Sequence, residues 1–413
     1  MTKRKLITAV IVMTAMAGKG QITLETCKQM ARDNYPAVKQ YRLIEQSRDY
    51  NMANAAKAWL PQVGVSAGAN VFTDMLDIAP QVPDGDLGMK NELYNATLQI
   101  NQTIYDGGAT AARRRTIKAQ SDVQRERLNV AMYELDGRVE QIFFGIITLD
   151  EQIRQNELLQ ADMTITKQTI TDMMACGMAN ESDTEAVGVE LMKARQQEVA
   201  LKTSRDTYIR MLGTFIGRQI DCNETFERPS IPIVESGCRR PELDYYAAQE
   251  RLADERRKAL DTGLMPSLGV FGTGMYHNKV MSMMKNNLLA AGLTLKWNIG
   301  ALYTRKNDKR NIEAERGFND AERQTFLFNN GMKSTHSNGK ITALRKQIEM
   351  DDRIIASQEL IRDKTEEKVK NGTETVNELL RDINDVNEAR QTKAVREIEL
   401  LQEMYNLKNI NNN

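Results

Sequence analysis

The 413-residue chain is short of histidine, short of cysteine and without net charge. Its 56 Lys and Arg balance 56 Asp and Glu, so nothing favours nucleic acid as a partner. The two histidines, His277 and His336, stand far apart, and neither has a Cys or His neighbour at ligand spacing. No metal site and no cofactor is expected. Four cysteines are too few for a disulfide framework. A single Cys222–Cys238 bridge is compatible with an oxidising compartment. No phosphate loop or nucleophile signature is visible, so an enzyme is not expected. Past the N-terminus, no segment has the twenty or so apolar residues of a membrane helix. If the chain sits in a membrane, it does so as strands.

What is present starts with Lys3, Arg4 and Lys5, followed by an apolar run from Leu6 to Ala17. Ala15-Met16-Ala17 offers a small-x-small cleavage site, so residues 1–20 read as a secretory signal. No Cys directly follows the run. The nearest, Cys27, comes after Leu24-Glu25-Thr26, which argues against a lipid anchor.

The remainder is one motif written twice. At a shift of about 195 residues Gly177 meets Gly372, Asp183 meets Glu378, and Ala194-Arg195-Gln196 meets Ala389-Arg390-Gln391. Upstream the shift grows, and Pro61-Gln62-Val63-Gly64-Val65 meets Pro266-Ser267-Leu268-Gly269-Val270. The extra residues fall around Asp77 to Asn91. The first repeat spans 21–217, with helices over 24–58, 108–172 and 183–217 and strands over 61–72 and 92–105. The second spans 241–410, with helices over 241–262, 304–368 and 375–408 and strands over 266–276 and 290–300. The linker 218–240 carries Pro229, Pro232 and Gly237, which break both patterns.

The strands alternate with period two. Val63, Val65, Ala67, Ala69 and Val71 oppose Gln62, Gly64, Ser66, Gly68 and Asn70. Leu98, Ile100 and Ile104 oppose Thr97, Gln99, Asn101 and Thr103. Leu293, Leu295, Trp297 and Ile299 oppose Thr294, Lys296 and Asn298. Strands of about ten residues with one apolar and one polar face suit a barrel with lipid outside and water inside. They equally suit a sheet lying on a soluble core. Leu135, Val139, Ile142, Ile146, Leu149 and Ile153 step as a heptad seam. A helix of some 65 residues, roughly 100 Å at about 1.5 Å per residue, is too long for one globular core. Two shorter helices stacked end to end would match it.

Small closed barrels need about eight strands, so four per chain in a membrane force oligomerisation. Dimer and trimer both remain open on this count. Trp59, Tyr105, Trp297 and Tyr303 sit where strands meet helices, as an aromatic girdle requires. Just beyond lie Arg113-Arg114-Arg115 and Arg305-Lys306 with Lys309-Arg310, which are either headgroup contacts or ordinary charged helix starts.

Several segments in this duplicated order resemble the TolC-like outer-membrane efflux channel family. They are Leu24-Glu25-Thr26-Cys27 with Asn34-Tyr35-Pro36, Arg240-Pro241-Glu242-Leu243, Leu60-Pro61, Met265-Pro266 and Tyr105-Asp106-Gly107-Gly108. The resemblance implies a mixed α/β membrane channel built mostly of long antiparallel coiled-coil helices. It implies a homotrimer with a twelve-stranded outer-membrane barrel and a periplasmic α-barrel. It also implies a periplasmic adaptor and an inner-membrane pump of the RND or ABC type as partners. Lys296 and Asn298 would face the lumen, and outer-membrane lipid would meet the other face. The adaptor would dock on the helical tips at Gly177, Met178, Gly372 and Thr373. The family's acidic aperture positions fall on Asp183, Glu378 and Arg381, the last a departure. An expected Arg falls on Glu374 and an expected Tyr on Val369, so the usual links cannot form. Glu378 and Arg381 are expected to make a mixed-charge ring instead. The competing readings are a periplasmic coiled-coil adaptor and a soluble coiled-coil structural protein. The substrate is not legible, and Met281, Met283 and Met284 in an external loop offer a soft-metal alternative.

Overall fold

The computed structural model describes residues 21–71, 92–233, 237–278 and 285–412. The expected signal at 1–20, the extra loop around Asp77–Asn91 and the loop methionines Met281, Met283 and Met284 lie outside the described residues. The helices are α1 (Leu24–Asn34), α2 (Lys39–Ala56), α3 (Ala109–Ala175), α4 (Glu181–Ile216), α5 (Pro241–Thr262), α6 (Ala301–Lys370) and α7 (Val376–Asn411). The strands are β1 (Gln62–Val71), β2 (Glu92–Tyr105), β3 (Ser267–His277) and β4 (Asn287–Lys296). None of the described helices is long and apolar enough to cross a membrane.

The expected single helix over 24–58 is divided. Tyr35 is extended (φ −62°, ψ 127°), because the ring of Pro36 disfavours helical backbone before it. A short 3-10 turn over Pro36–Val38 then leads into α2. The long helices are as read: α3 has 67 residues and α6 has 70. The heptad seam of α3 is real, with Leu135, Val139, Ile142, Ile146 and Ile153 buried and Leu149 half-buried.

The chain forms two compact units that cut across the sequence repeats. One takes residues up to Val38, Ala131–Arg240 and everything from Asn329; the other takes Lys39–Val130 and Pro241–Phe328. In the first unit, the linker is tied to the N-terminal segment by a parallel bridge. Ile22 N donates to Thr225 O at 3.0 Å, and Glu227 N donates to Ile22 O at 3.0 Å. The Phe226 ring stands edge-on to Phe143 at 5.6 Å. Lys28 and Arg32 of α1, one turn apart, pair with Glu140 and Asp136 of α3. Burial raises the Glu140 carboxyl above its ordinary range, against the pull of Lys28 and Asn409.

The second unit holds one antiparallel sheet in the order β1-β2-β3-β4. Its register carries the alternation through all four strands. Val65, Leu98, Gly274 and Leu289 line up across the sheet, as do Gly64, Gln99, Thr273 and Ala290. One face is therefore mostly Val, Leu, Ile, Ala and Gly, with Tyr94 and Tyr276 and the polar Glu92, Gln102 and Asn287 among them. The other carries Gln, Asn, Thr and Ser on β1 and β2, and also Phe271, Met275 and Leu288 on β3 and β4. A bulge between Thr103 and Tyr105 shifts the end of β2. β4 ends at Lys296, short of the expected residue 300, so Trp297, Asn298 and Ile299 are not on the strand. The ladder's last pair is Ser267 with Lys296. Next to Ser267 comes Pro266, which has no N–H to continue it.

Candidate functional site

Two regions bring the sequence-predicted residues together: the helix–helix turns of the first unit and the strand–helix junctions of the second.

The two turns have one backbone design. In the first, Met178 N donates to Met173 O at 2.9 Å and Gly177 N to Met174 O at 3.0 Å. In the second, Thr373 N donates to Lys368 O at 2.9 Å and Gly372 N to Val369 O at 2.9 Å. Both are Schellman caps, and both need the left-handed backbone that Gly177 (φ +77°) and Gly372 (φ +70°) adopt without strain. Met178 and Thr373 are exposed beside them.

The next helix then starts with a cap at the same place in each repeat. Asn180 Oδ1 accepts from Asp183 N at 3.0 Å, and Asp183 Oδ2 accepts from Asn180 N at 3.0 Å, which closes a capping box. Thr375 Oγ1 accepts from Glu378 N at 3.2 Å. Glu378 does not reach back. Its carboxylate pairs with Arg381 Nη2 at 2.7 Å. Glu374 Oε1 accepts from Thr375 N at 3.2 Å. The structure thus unites Glu378 and Arg381 as an exposed pair and commits Asp183 to the start of α4. Val369, where a tyrosine link was expected, is buried at 3% exposure in the tip core with Met173, Val187 and Leu379. That core joins both hairpins. Beside it opens a cavity of about 180 Å³ between Ile165 and Met173 of α3, Val369 and Lys370 of α6, and Leu379 and Ile383 of α7.

At the strand–helix junctions, Trp59, Tyr105, Trp297 and Tyr303 are all exposed and all lie at the helix end of the sheet. Trp297 Nε1 donates to Leu264 O at 3.0 Å. Asp106 is the cap of α3: its two oxygens accept from Gly108 N at 2.9 Å and Thr110 N at 2.6 Å. Burial works against the Asp106 carboxylate, but these bonds outweigh it and hold the pKa below the ordinary value. Gly107 (φ +67°) leaves no room for a side chain, since a Cβ there would meet Met265 Cβ at 2.5 Å. The Tyr-Asp-Gly-Gly and Met-Pro segments, singled out separately in the sequence, are therefore in contact. Lys296 is on the polar face, as expected. Asn298 is not: it lies in the turn that starts α6, where its carbonyl accepts from Ala301 N at 3.4 Å. Cys222 and Cys238 are free, so the bridge allowed by the sequence is not made. Cys238 Sγ instead accepts from Asn330 Nδ2 at 3.4 Å.

Two polar contacts inside the first unit escaped sequence reading. Asn330 Nδ2 donates to Ile410 O at 2.9 Å, and buried Ser337 bonds the carboxylate of Glu403. The Asn180-x-x-Asp183 capping box also went unread, although its spacing is the signal that could have found it. The polar contacts carry no such signal, because their partners are remote in sequence.

Residues 28–218 match the model of the outer membrane efflux protein family. By that match the first repeat is similar to the outer membrane efflux proteins. A likeness of fold alone extends through the second repeat. The solved structure of CusC covers 94% of this chain and 91% of its own, with a TM-score of 0.72 at 11% identity. The outer membrane protein VceC of Vibrio cholerae covers 94% of each chain, with a TM-score of 0.66 at 12% identity. The CmeC outer membrane channel of Campylobacter jejuni covers 94% of this chain and 85% of its own, with a TM-score of 0.65 at 12% identity. At these identities the likeness is one of fold. No curated protein matches by sequence.

Proposed function

We propose that this chain is one subunit of a homotrimeric exit duct in the outer membrane, with its helices extending into the periplasm. The duct is passive. A periplasmic adaptor and an inner-membrane pump, of the RND or ABC type, deliver the substrate. The observation that carries this reading is the open sheet. β1 and β4 each pair on one side only among the described residues, and one sheet face is mostly apolar, with Glu92, Gln102 and Asn287 its polar exceptions. Unpaired strand edges cannot stay in lipid, and four strands cannot close on themselves, so copies must close the barrel. Three copies give twelve strands, with Lys296 and the Gln, Asn and Thr face lining water. The mass of the detergent-extracted protein tests this: three chains are expected, and a monodisperse monomer would rule the duct out.

In this reading the two Schellman turns are the adaptor's docking points, and the cavity between the hairpins, lined by Asp162, Arg362 and Glu366 as well as by apolar side chains, seats the adaptor's side chains. The Glu378–Arg381 pair, repeated around the axis, forms a charge-balanced aperture ring. Glu378→Gln and Arg381→Gln channels should leak ions more than wild type when closed. Unchanged closed-state conductance in both would remove the ring from the gate.

A further inference from the structure

The cations at the strand–helix junction divide into two sets. Arg305 and Lys309 of α6 both reach Asp261 of α5, at 2.5 and 3.2 Å. Arg115 of α3 reaches Glu255 of α5 at 3.0 Å. These three face α5 and are ion-paired there. Arg113, Arg114, Lys306 and Arg310 are exposed and make no ion pair among the described residues. Tyr303, Lys306 and Arg310 follow i, i+3, i+7 spacing and so share one stripe of α6, with Tyr303 84% exposed at its sheet end.

Nearby acids do not balance these charges. No acidic residue occurs between Gly107 and Lys118, and Asp308 is the only one between Ala301 and Asn311. Asp106 is occupied by the backbone of α3, and Asp261 and Glu255 by the first set of cations. The result is a bare positive band just past exposed Trp59, Tyr105, Trp297 and Tyr303. Aromatics mark the level of the headgroups, and Arg or Lys one or two turns further out can extend its charge to them.

We propose that Arg113, Arg114, Lys306 and Arg310 bind the phosphates of anionic phospholipids in the leaflet nearest the helices. The inference rests on the membrane placement given under Proposed function. It adds a lipid preference that placement alone does not require. Each cation near an anionic surface strengthens association on the order of fivefold, and salt weakens it.

The test is lipid retention by the detergent-purified channel, read by native mass spectrometry. Phosphatidylglycerol and phosphatidylcholine of equal chain length are offered at low and high salt. The wild type should retain the anionic lipid at least about tenfold better at low salt, and lose most of that preference at high salt. The variant Arg113→Gln, Arg114→Gln, Lys306→Gln, Arg310→Gln should retain both lipids alike. Equal retention by the wild type, or a preference that survives in the variant, would overturn the proposal. So would dissociation of the variant into monomers, which would show that these charges pair between subunits. The salt dependence of the wild type decides the matter even if the variant does not fold. A chain that enters neither lipid would defeat the duct itself, whereas one that enters both equally would defeat only this preference.

Discussion

The two repeats keep their backbone and change the use of their side chains. At the turns, the same Schellman bonds recur one repeat apart around Gly177 and Gly372. Yet Asp183 locks the start of α4, whereas Glu378, its counterpart, leaves that task to Thr375 alone and turns to Arg381. The middles of the long helices differ more. Leu135 and Ile142 of α3 correspond to Asn330 and Ser337 of α6, and all four are buried. Glu140, held by Lys28, corresponds to Thr335. The first repeat packs its mid-helix through apolar side chains and two ion pairs to α1, whose carboxylates Glu140 and Asp136 are both buried. The second secures the same level with hydrogen bonds from α6 to α7. Duplication fixed where the chain turns and is capped, and left the packing chemistry free to diverge.

The largest effect should come from Lys28→Met. It strands a buried carboxylate, at a cost of about 3–5 kcal/mol. The Glu140 carboxyl, already raised by burial, loses the cation that lowers it. A folded-state pKa above the unfolded one means the folded protein holds the proton more tightly. The variant should therefore regain stability as pH falls through that raised pKa. Melting curves from pH 8 to pH 5 check this, and a flat profile would show that Glu140 is not the group at fault.

Asn330→Leu tests the polar half of the comparison by restoring the residue of the first repeat. It removes the donor to Ile410 O and should cost about 1–3 kcal/mol by denaturant unfolding, despite the added apolar surface. A stabilised variant would mean that the polar contact is incidental. At the turns, Asp183→Ala removes half of a capping box and should cost about 0.5–1 kcal/mol more than Glu378→Ala. Equal losses would erase the distinction drawn between the two caps. Smallest are Gly331→Ala and Gly339→Ala in α6. Neither site has an atom within 4 Å of an added Cβ. Each should stabilise by roughly 0.5–1 kcal/mol through helix propensity.

Much of this was legible in the sequence, for identifiable reasons. Period-two alternation and Pro61 and Pro266 placed the strands to within a few residues, and the repeat itself placed Gly177 opposite Gly372. The errors also have causes. Alternation continues through Trp297, Asn298 and Ile299, but hydrogen bonding stops where Pro266 has no N–H to offer. The first helix reads as continuous because its apolar spacing tolerates the break at Tyr35-Pro36. Which cations are free could not be read at all. Arg305 and Lys306 are neighbours in sequence, and only the position of Asp261 on α5 separates them.

The central claim is that copies of this chain close a water-filled barrel around the polar face of the sheet. Conductance across a planar lipid bilayer tests it most directly. Small, discrete, uniform channel steps from the purified oligomer are predicted. A bilayer that stays silent at every protein concentration, with the protein intact, would contradict the account.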